Sequence, residues 1–228
     1  MRLFFVRHAQ SENNARPLEE RVSDPALTEI GRQQADSIAR HVEELQPTHL
    51  LVSPFRRALE TAEPIRKALG LPSRVWVELH EHGGCFDGYN AETLRTRPGM
   101  NGRQIREAFP GTATPPEIEE RGWWRGDDYE THESADARAR TIRQRLLDEH
   151  RAGHDRVVLV THGTFMRFQM RALLGLTLDD DDPFGPVHNT AVCEVFLTAD
   201  EVILMSWNSA GHLPADLRTD IGPRLERL

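Results

Sequence analysis

Short apolar runs, too brief to be helices, alternate along the chain with segments of helical spacing. The first run occupies 3–6 and stops abruptly at Arg7 and His8. Continuous apolar runs of this length indicate strands that are buried on both faces of a sheet. Similar runs occupy 49–52 and 156–161. Because strands that alternate with helices form mostly parallel sheets, we expect a three-layer α/β/α sandwich with helices on both faces.

Caps, breakers and apolar spacing divide the rest of the chain into further elements. Thr28 is a predicted helix N-cap, and Pro47 lies just beyond the predicted end of that helix. Predicted helices cover 28–45, 55–70, 101–109 and 163–174, and another begins near Ser134. Further predicted strands cover 74–79, 191–197 and 202–207, the last two as a closing pair.

Four predicted strands each carry a reactive residue at or soon after the carboxyl end, where ligands bind in open α/β sheets. These residues are Arg7 with His8, Arg57, Glu81 and His162. Because the carboxyl ends of parallel strands share one edge, we expect all five to converge on one pocket. Arginine neutralises phosphoryl oxygens, imidazole attacks phosphorus, and a carboxyl group moves the proton. The set therefore indicates phosphoryl transfer.

Several motifs surround these residues in a distinctive order. They are Arg-His-Ala-Gln-Ser-Glu-Asn-Asn at 7–14, Leu-Thr-Glu-Ile-Gly at 27–31, Ser-Pro-Phe-Arg-Arg-Ala at 53–58, Leu-His-Glu at 79–81, Glu-Ser at 133–134 and Thr-His-Gly at 161–163. Through them nearly the whole chain resembles the histidine phosphatase superfamily, in its phosphoglycerate mutase-like branch. The resemblance implies an enzyme that needs neither a metal nor another cofactor.

The same resemblance implies a role for each matching residue. His8 is the implied phosphoryl acceptor, and Glu81 is the implied proton donor, although Glu78 and Asp87 lie close in sequence. The implied phosphate-binding residues are Arg7, Arg57 and His162, assisted by Asn14 and Gly163. Arg57 is chosen over its neighbour because it directly precedes the alanine of the motif.

The segment 83–132 interrupts the regular pattern with many glycines and prolines and a pair of tryptophans. A connection of this length is rarely plain loop. Two interpretations stay open: a lid that selects the substrate of a single domain covering 1–228, or a peripheral decoration packed on the sheet edge.

Three functions are compatible with these motifs. A phosphomonoester hydrolase is the first, and a phosphoglycerate mutase is the second. The third is a binding module for phosphorylated ligands without catalysis. Mutase relatives place a lysine and paired arginines in the insertion, whereas Lys67 is the chain's sole lysine and Arg121 and Arg125 are not adjacent. These differences favour the phosphatase.

Composition limits the partners. The net charge of −8 argues against nucleic acid or an anionic membrane and favours a small phosphorylated metabolite. Two cysteines are too few for a disulfide framework, so we expect a cytoplasmic protein, with its oligomeric state open. We expect the four remaining candidate metal-ligating histidines to be solvated side chains. They are His80, His82, His150 and His154.

Overall fold

Strands and helices alternate through most of the chain, as predicted. The computed structural model describes residues 1–88, 90, 92–150 and 153–219. The strands are β1 (Arg2–Arg7), β2 (His49–Val52), β3 (Ser73–Val75), β4 (Phe86–Asp87), β5 (Arg95–Thr96), β6 (Thr112–Ala113), β7 (Arg156–Thr161), β8 (Val192–Leu197) and β9 (Val202–Ser209). The helices are α1 (Glu12–Ala15), α2 (Glu29–Glu44), α3 (Arg56–Leu69), α4 (Gly102–Ala108), α5 (His132–Glu149) and α6 (Gly163–Leu174).

Seven of these strands form one sheet in the order β6-β3-β2-β7-β1-β8-β9. The first five strands in this order run parallel, whereas β8 and β9 are antiparallel to their neighbours. Strand β1 is therefore central, with β7 on one side and β8 on the other. The mostly parallel sheet and the closing pair of strands predicted from the sequence are confirmed.

Side chains of β1 alternate between two cores, which explains its continuous apolar sequence. Leu3 and Phe5 join the core under α5 and α6, whereas Phe4 and Val6 join the core under α2 and α3. Each of these four side chains is at most 1% exposed. Because successive residues of a strand point to opposite faces, a strand between two helical layers must be apolar throughout. The predicted three-layer sandwich is confirmed.

The register between β1 and β7 places the two predicted site histidines side by side. Arg7 pairs with Thr161 at the carboxyl ends of the two strands. The backbone N–H of His8 donates to the carbonyl of Thr161 at 2.9 Å. Strand β2 pairs with the other edge of β7, and Ser53 N–H donates to Val160 O at 3.0 Å. Three strand ends therefore meet at one point through backbone hydrogen bonds alone.

The prediction of a strand over 74–79 is wrong beyond Val75. Strand β3 ends there, and Val77–Leu79 forms a 3₁₀ turn. The backbone N–H of Trp76 donates to the last residue of β2, Val52, so β3 has no further partner backbone to pair with on that side. The apolar residues that resemble a strand instead bury Leu79 under the sheet edge.

The insertion 83–132 has secondary structure of its own. It contains the two-stranded ribbon β4-β5 and helix α4, which Asn101 caps at its N-terminus. Strand β6, at the end of α4, adds to the main sheet parallel to β3. Trp123 is buried against the ring of Phe55, with centroids 4.6 Å apart. The segment is therefore integrated with the sheet edge, and its proposed action as a lid stays a prediction.

The apolar segments of the chain pack in the interior of the protein. In the described ranges, no helix is both long enough and apolar enough to cross a bilayer. Cys85 and Cys193 are buried thiols rather than a disulfide.

Gly31 in α2 allows that helix to pack directly on the backbone that follows His8. A Cβ atom at Gly31 would lie 2.0 Å from the carbonyl oxygen of Gln10. We expect Gly31→Ala to lower the free energy of unfolding by about 1–3 kcal/mol, because backbone atoms must shift to admit the methyl group. Urea unfolding measures this loss. Gly185→Ala, where a Cβ would meet open space, is the matched control, and equal losses in both variants would refute the packing argument.

Candidate active site

Three predicted site residues come into direct contact at the carboxyl edge of the sheet. The ring centroids of His8 and His162 are 5.1 Å apart. The Nε of Arg57 donates to Nε2 of His8 at 3.2 Å. Strand ends bring the two histidines here, whereas Arg57 arrives on the first turn of α3. Its neighbour Arg56 turns outward and pairs with Glu60.

His8 is oriented by its own backbone surroundings. Its Nδ1 lies 2.7 Å from the carbonyl oxygen of Ala9, which only accepts, so Nδ1 carries the proton and Nε2 presents a lone pair. The amide of Asn189 donates to the carbonyl of His8 at 3.0 Å, and Ala9 N–H donates to Thr61 Oγ1 at 3.0 Å. The residue is 3% exposed. Its reactive atom is thus fixed in both tautomer and direction.

Burial lowers the pKa of His8 well below its usual value, and the cations of Arg57 and Arg7 lower it further. A neutral ring is the nucleophilic form of imidazole. The groups that attract an anionic phosphoryl group thereby also keep His8 unprotonated at neutral pH.

His162 is the second imidazole of the site, and one of its two ring nitrogens already has a hydrogen-bond partner. Its Nε2 lies 2.7 Å from Ser53 Oγ, and its ring makes an edge contact with Phe55. Its Nδ1 is buried, with no hydrogen-bond partner among the described residues. Burial, followed by Arg57 and His8, lowers the pKa of His162 well below its usual value. A buried ring nitrogen without a protein partner beside two arginines is suited to a phosphoryl oxygen.

Arg7 and Gly163 lie against each other at the start of α6. The guanidinium of Arg7 donates to the carbonyl of Val187. A Cβ atom at Gly163 would lie 3.1 Å from Nε of Arg7, a contact that leaves little room for a larger residue. The glycine predicted to assist phosphate binding therefore makes room for the arginine that precedes His8.

The side chain of Glu81 contacts the N-terminal end of α6. Its Oε1 accepts from the backbone N–H groups of Phe165 and His82, both at 2.9 Å. Its Oε2 accepts a longer bond of 3.4 Å from Thr164 N–H. Helix N-termini attract carboxylates and other anions. Oε2 is therefore the less committed oxygen and the better placed one to exchange a proton.

Arg138 holds the chain around Glu81 in place. It donates to the carbonyl of His80 at 3.0 Å, pairs with both carboxylate oxygens of Glu130, and stacks over the ring of Phe165 at 3.6 Å. No sequence pattern distinguishes Arg138 from the other arginines, because its partners come from several different segments of the chain.

Asn14 is the predicted site residue whose contacts are local. Its Oδ1 accepts from the backbone N–H and the hydroxyl of Ser11, both at 3.0 Å. These bonds close the first turn of α1 in the loop that follows His8. The contacts described for its side chain do not include His8, Arg57 or His162, so its role toward phosphate stays a prediction.

Other residues of the site escaped the sequence analysis. Ser53 belongs to the motif at 53–58, but its contact with His162 was not predicted, and Thr61 and Asn189 had no signal because their partners are backbone groups of distant segments. The prediction of solvated histidines is wrong for His80, which is buried between Trp123 and Phe165. It is also wrong for His150, which is buried at the opposite end of the sheet.

A partly buried carboxyl group adjoins the start of α3. Asp24 Oδ1 accepts from Arg56 N–H at 2.8 Å, yet burial raises the pKa of Asp24 from 3.8 to about 6, against the opposing effect of Arg57. Because the folded pKa exceeds the unfolded value, the protonated acid is favoured by folding. The resulting contribution to the free energy of unfolding is complete below pH 3.8 and is lost as the pH rises through 6.

We therefore expect Asp24→Asn, whose amide oxygen can still accept from Arg56, to be more stable than the parent at pH 8 by about 1–3 kcal/mol. The gain should shrink toward zero as the pH falls from 6 to 4. Urea unfolding at pH 8, 6 and 4.5 measures it. A variant less stable than the parent at pH 8 would contradict this account.

A cavity of about 230 Å³ opens along α6 beside Glu81. It begins at Thr164, whose N–H contacts Glu81, and continues for two helical turns. Its lining comprises His132, Thr164, Arg167, Phe168, Arg171, Leu178, Asp180 and Asp182. Two arginines and two aspartates balance its charge and can form hydrogen bonds with a polar, hydroxyl-bearing group.

Comparisons with known proteins identify the family to which the chain is similar. The family model described as histidine phosphatase superfamily (branch 1) matches residues 3–210. A glucosyl-3-phosphoglycerate phosphatase of Mycolicibacterium vanbaalenii is 30% identical over 202 residues, which are 83% of this chain and 81% of that protein. A probable phosphoglycerate mutase of Photorhabdus laumondii is 31% identical over 116 residues, covering 50% of this chain and 54% of that protein.

Solved structures show the same relationship. A mycobacterial glucosyl-3-phosphoglycerate phosphatase in complex with VO3 superposes with a TM-score of 0.68 at 25% identity, covering 92% of this chain and 99% of that one. An ecdysone phosphate phosphatase in complex with tungstate shares the fold, with a TM-score of 0.66 at 16% identity, covering 91% of this chain and 92% of that one.

Proposed function

Because the chain belongs to the histidine phosphatase superfamily (branch 1), we propose that it hydrolyses phosphomonoesters through a phosphohistidine on His8. The observation that carries the proposal is the contact of Arg57 with Nε2 of His8, together with the 5.1 Å separation of the ring centroids of His8 and His162. This arrangement offers a nucleophile, a cation and a second imidazole to one phosphoryl group.

Binding comes first. Arg7 and Arg57 supply positive charge, and Nδ1 of His162 supplies a ring nitrogen to a phosphoryl oxygen. When the anion enters, the guanidinium of Arg57 transfers its hydrogen bond from His8 to a phosphoryl oxygen, which frees the lone pair of Nε2. Charge-assisted hydrogen bonds of this kind are about twice as strong as neutral ones.

In the first chemical step, Nε2 of His8 attacks phosphorus in line with the ester oxygen. The N–P bond forms as the P–O bond breaks, and the departing alkoxide oxygen takes a proton from Oε2 of Glu81. In the second step, ionised Glu81 accepts a proton from water, and the resulting oxygen attacks the phosphohistidine. Inorganic phosphate leaves, and both His8 and Glu81 return to their starting forms.

The cavity beside Glu81 supports a proposal for the leaving group. Oxygen atoms of Asp180 and Asp182 can accept hydrogen bonds from hydroxyl groups, and Phe168 adds an aromatic surface. A leaving group bearing several hydroxyls fits this lining. The relative named glucosyl-3-phosphoglycerate phosphatase covers most of this chain. We therefore propose a small phosphorylated metabolite with a sugar-like portion, of which glucosyl-3-phosphoglycerate is the first to test.

Specific contacts favour hydrolysis over the mutase reaction. A mutase must retain and reorient a doubly charged intermediate, which calls for additional cations above the site. Lys67 lies in the last turn of α3 and pairs with Glu63 on the same helix. Three arginines of the insertion pair with neighbouring carboxylates: Arg97 with Asp87, Arg103 with Glu107 and Arg106 with Glu119.

Product analysis separates the candidate functions. We expect the purified protein to release inorganic phosphate from glucosyl-3-phosphoglycerate, and more slowly from simple monoesters. Incubation with 3-phosphoglycerate and 2,3-bisphosphoglycerate, followed by ³¹P NMR, tests for isomerisation. Formation of 2-phosphoglycerate faster than phosphate release would establish the mutase instead. Tight phosphate binding without turnover of any ester would establish a binding module.

A further inference from the structure

A second cluster of titratable side chains lies at the amino ends of the strands, on the opposite edge of the sheet from His8. His49 begins β2, Asp155 directly precedes β7, and His150 follows the last residue of α5. Nδ1 of His150 lies 2.8 Å from Oδ2 of Asp155, and Nδ1 of His49 lies 3.8 Å from Oδ1 of the same carboxylate. The two imidazole rings meet edge to face with centroids 4.7 Å apart.

His150 has an unusual combination of burial and unmet hydrogen bonding. Its side chain is 3% exposed, and its Nε2 has no hydrogen-bond partner among the described residues. A buried polar atom without a protein partner is uncommon, and an ordered water or ion is one way in which such an atom is satisfied. In contrast, the side chains of His49 and Asp155 are 44% and 26% exposed, which leaves an entry path from solvent.

Two imidazoles and a carboxylate form a common ligand set for zinc and its divalent neighbours. Donor atoms of the three residues lie within 4.8 Å of one another. Around a tetrahedral zinc ion with bonds of about 2.0–2.2 Å, donors are roughly 3.3–3.5 Å apart. The widest donor pair therefore needs to close by at most about 1.5 Å, which the exposed ring of His49 can do by moving, whereas Nδ1 of His150 and Oδ2 of Asp155, now 2.8 Å apart, must separate by about 0.5 Å.

We propose that His49, His150 and Asp155 form a binding site for one zinc-class divalent cation, with water completing the coordination. Neighbouring charges moderate its affinity: Glu149 is acidic and close to His49, Arg74 pairs with Glu149, and the α-amino group of Met1 lies near Asp155. The bound ion joins the start of β2, the end of α5 and the loop before β7. Its role is structural, since the phosphoryl site is at the other end of both strands.

The competing explanation is a plain hydrogen bond between His150 and Asp155 that closes the end of α5. The two explanations differ in what they require of His49. A hydrogen-bonded pair does not use that ring, whereas a metal site loses one of its three protein ligands when the ring is removed.

Cobalt(II) titration of the metal-free protein tests the site, because tetrahedral cobalt with nitrogen and oxygen ligands absorbs visible light. We expect the parent protein to bind one cobalt equivalent with bands in the visible region, lost in His49→Ala and in Asp155→Asn. Zinc at 100 times its Kd should raise the Tm of the parent by about 5–10 °C and leave both variants unchanged.

His154→Ala is the matched control, since His154 is an exposed histidine in the same loop and lies outside the cluster. This variant should keep both the cobalt bands and the zinc-induced shift. Any cobalt bound at His8 and His162 would still absorb in His49→Ala. The test is therefore the difference in visible absorbance between the parent and His49→Ala. No difference in bands or in Tm shift between the parent and His49→Ala would overturn the proposal.

Discussion

Replacing His8 by alanine is expected to abolish the phosphoenzyme and to lower turnover by about 10⁴-fold or more, because the variant has no nucleophile for the first step. The ring of His8 presents Nε2 to the site, and no neighbouring group described here can take over that geometry. Rapid acid-free quenching with ³²P-labelled substrate measures the covalent label, which should be stable in alkali and labile in acid, as phosphohistidine is.

Two controls separate loss of chemistry from loss of structure. Thermal unfolding of His8→Ala reports whether the variant is folded, and binding of inorganic phosphate reports whether the arginines are still in place. His154→Ala removes an exposed histidine and should retain full labelling. If His8→Ala is folded and still becomes labelled, another residue is the phosphoryl acceptor and the proposed mechanism is wrong.

Glu81→Gln is expected to slow turnover by about 10²–10⁴-fold while phosphate binding changes little. The amide oxygen of glutamine can still accept from Phe165 N–H and His82 N–H, so the start of α6 keeps its contacts. What is lost is the proton for the leaving oxygen. Formation of the phosphohistidine from p-nitrophenyl phosphate, whose leaving group needs no proton, should therefore be slowed much less than its formation from an alkyl phosphate, whereas the later hydrolysis step is slowed equally for both.

Nearby carboxylates supply the matched comparison for this prediction. Glu78 pairs with Arg145 and Asp87 pairs with Arg97, so both are committed to ion pairs outside the site. Glu78→Gln should leave turnover nearly unchanged for both esters. Equal losses in the rate of phosphohistidine formation from p-nitrophenyl and alkyl phosphates in Glu81→Gln would remove Glu81 from the role of proton donor and leave it as a structural cap of α6.

The sequence predicted most of the fold because local signals and packing agree. Apolar runs between two helical layers identify β1 and β7, and helix caps such as Thr28 mark the ends of the helices. The prediction of a strand at 74–79 is wrong beyond Val75 for a different reason. Its residues suit a strand, but β2 is too short to pair with them, and pairing length is a property of the partner.

The candidate site also contains residues that the sequence predicts and residues that it does not. His8, His162 and Arg57 were predicted to meet, and they do, because each is tied to the end or the start of a regular element. Ser53 and Asn189 act through single contacts between distant segments, which no spacing in the sequence encodes. The buried state of His80 depends on Trp123 from the insertion, the part of the chain with the weakest periodicity.

The pairing of Arg7 with Thr161 has a consequence for how such a protein can change over time. Both site histidines come directly after the paired residues, so their spacing is set by the backbone ladder. One inserted or deleted residue in β1 or β7 would carry one imidazole about 3.3 Å along the sheet and turn its neighbours to the wrong face. New substrates must therefore come from altered loops and cavity walls, while the lengths of these two strands stay fixed.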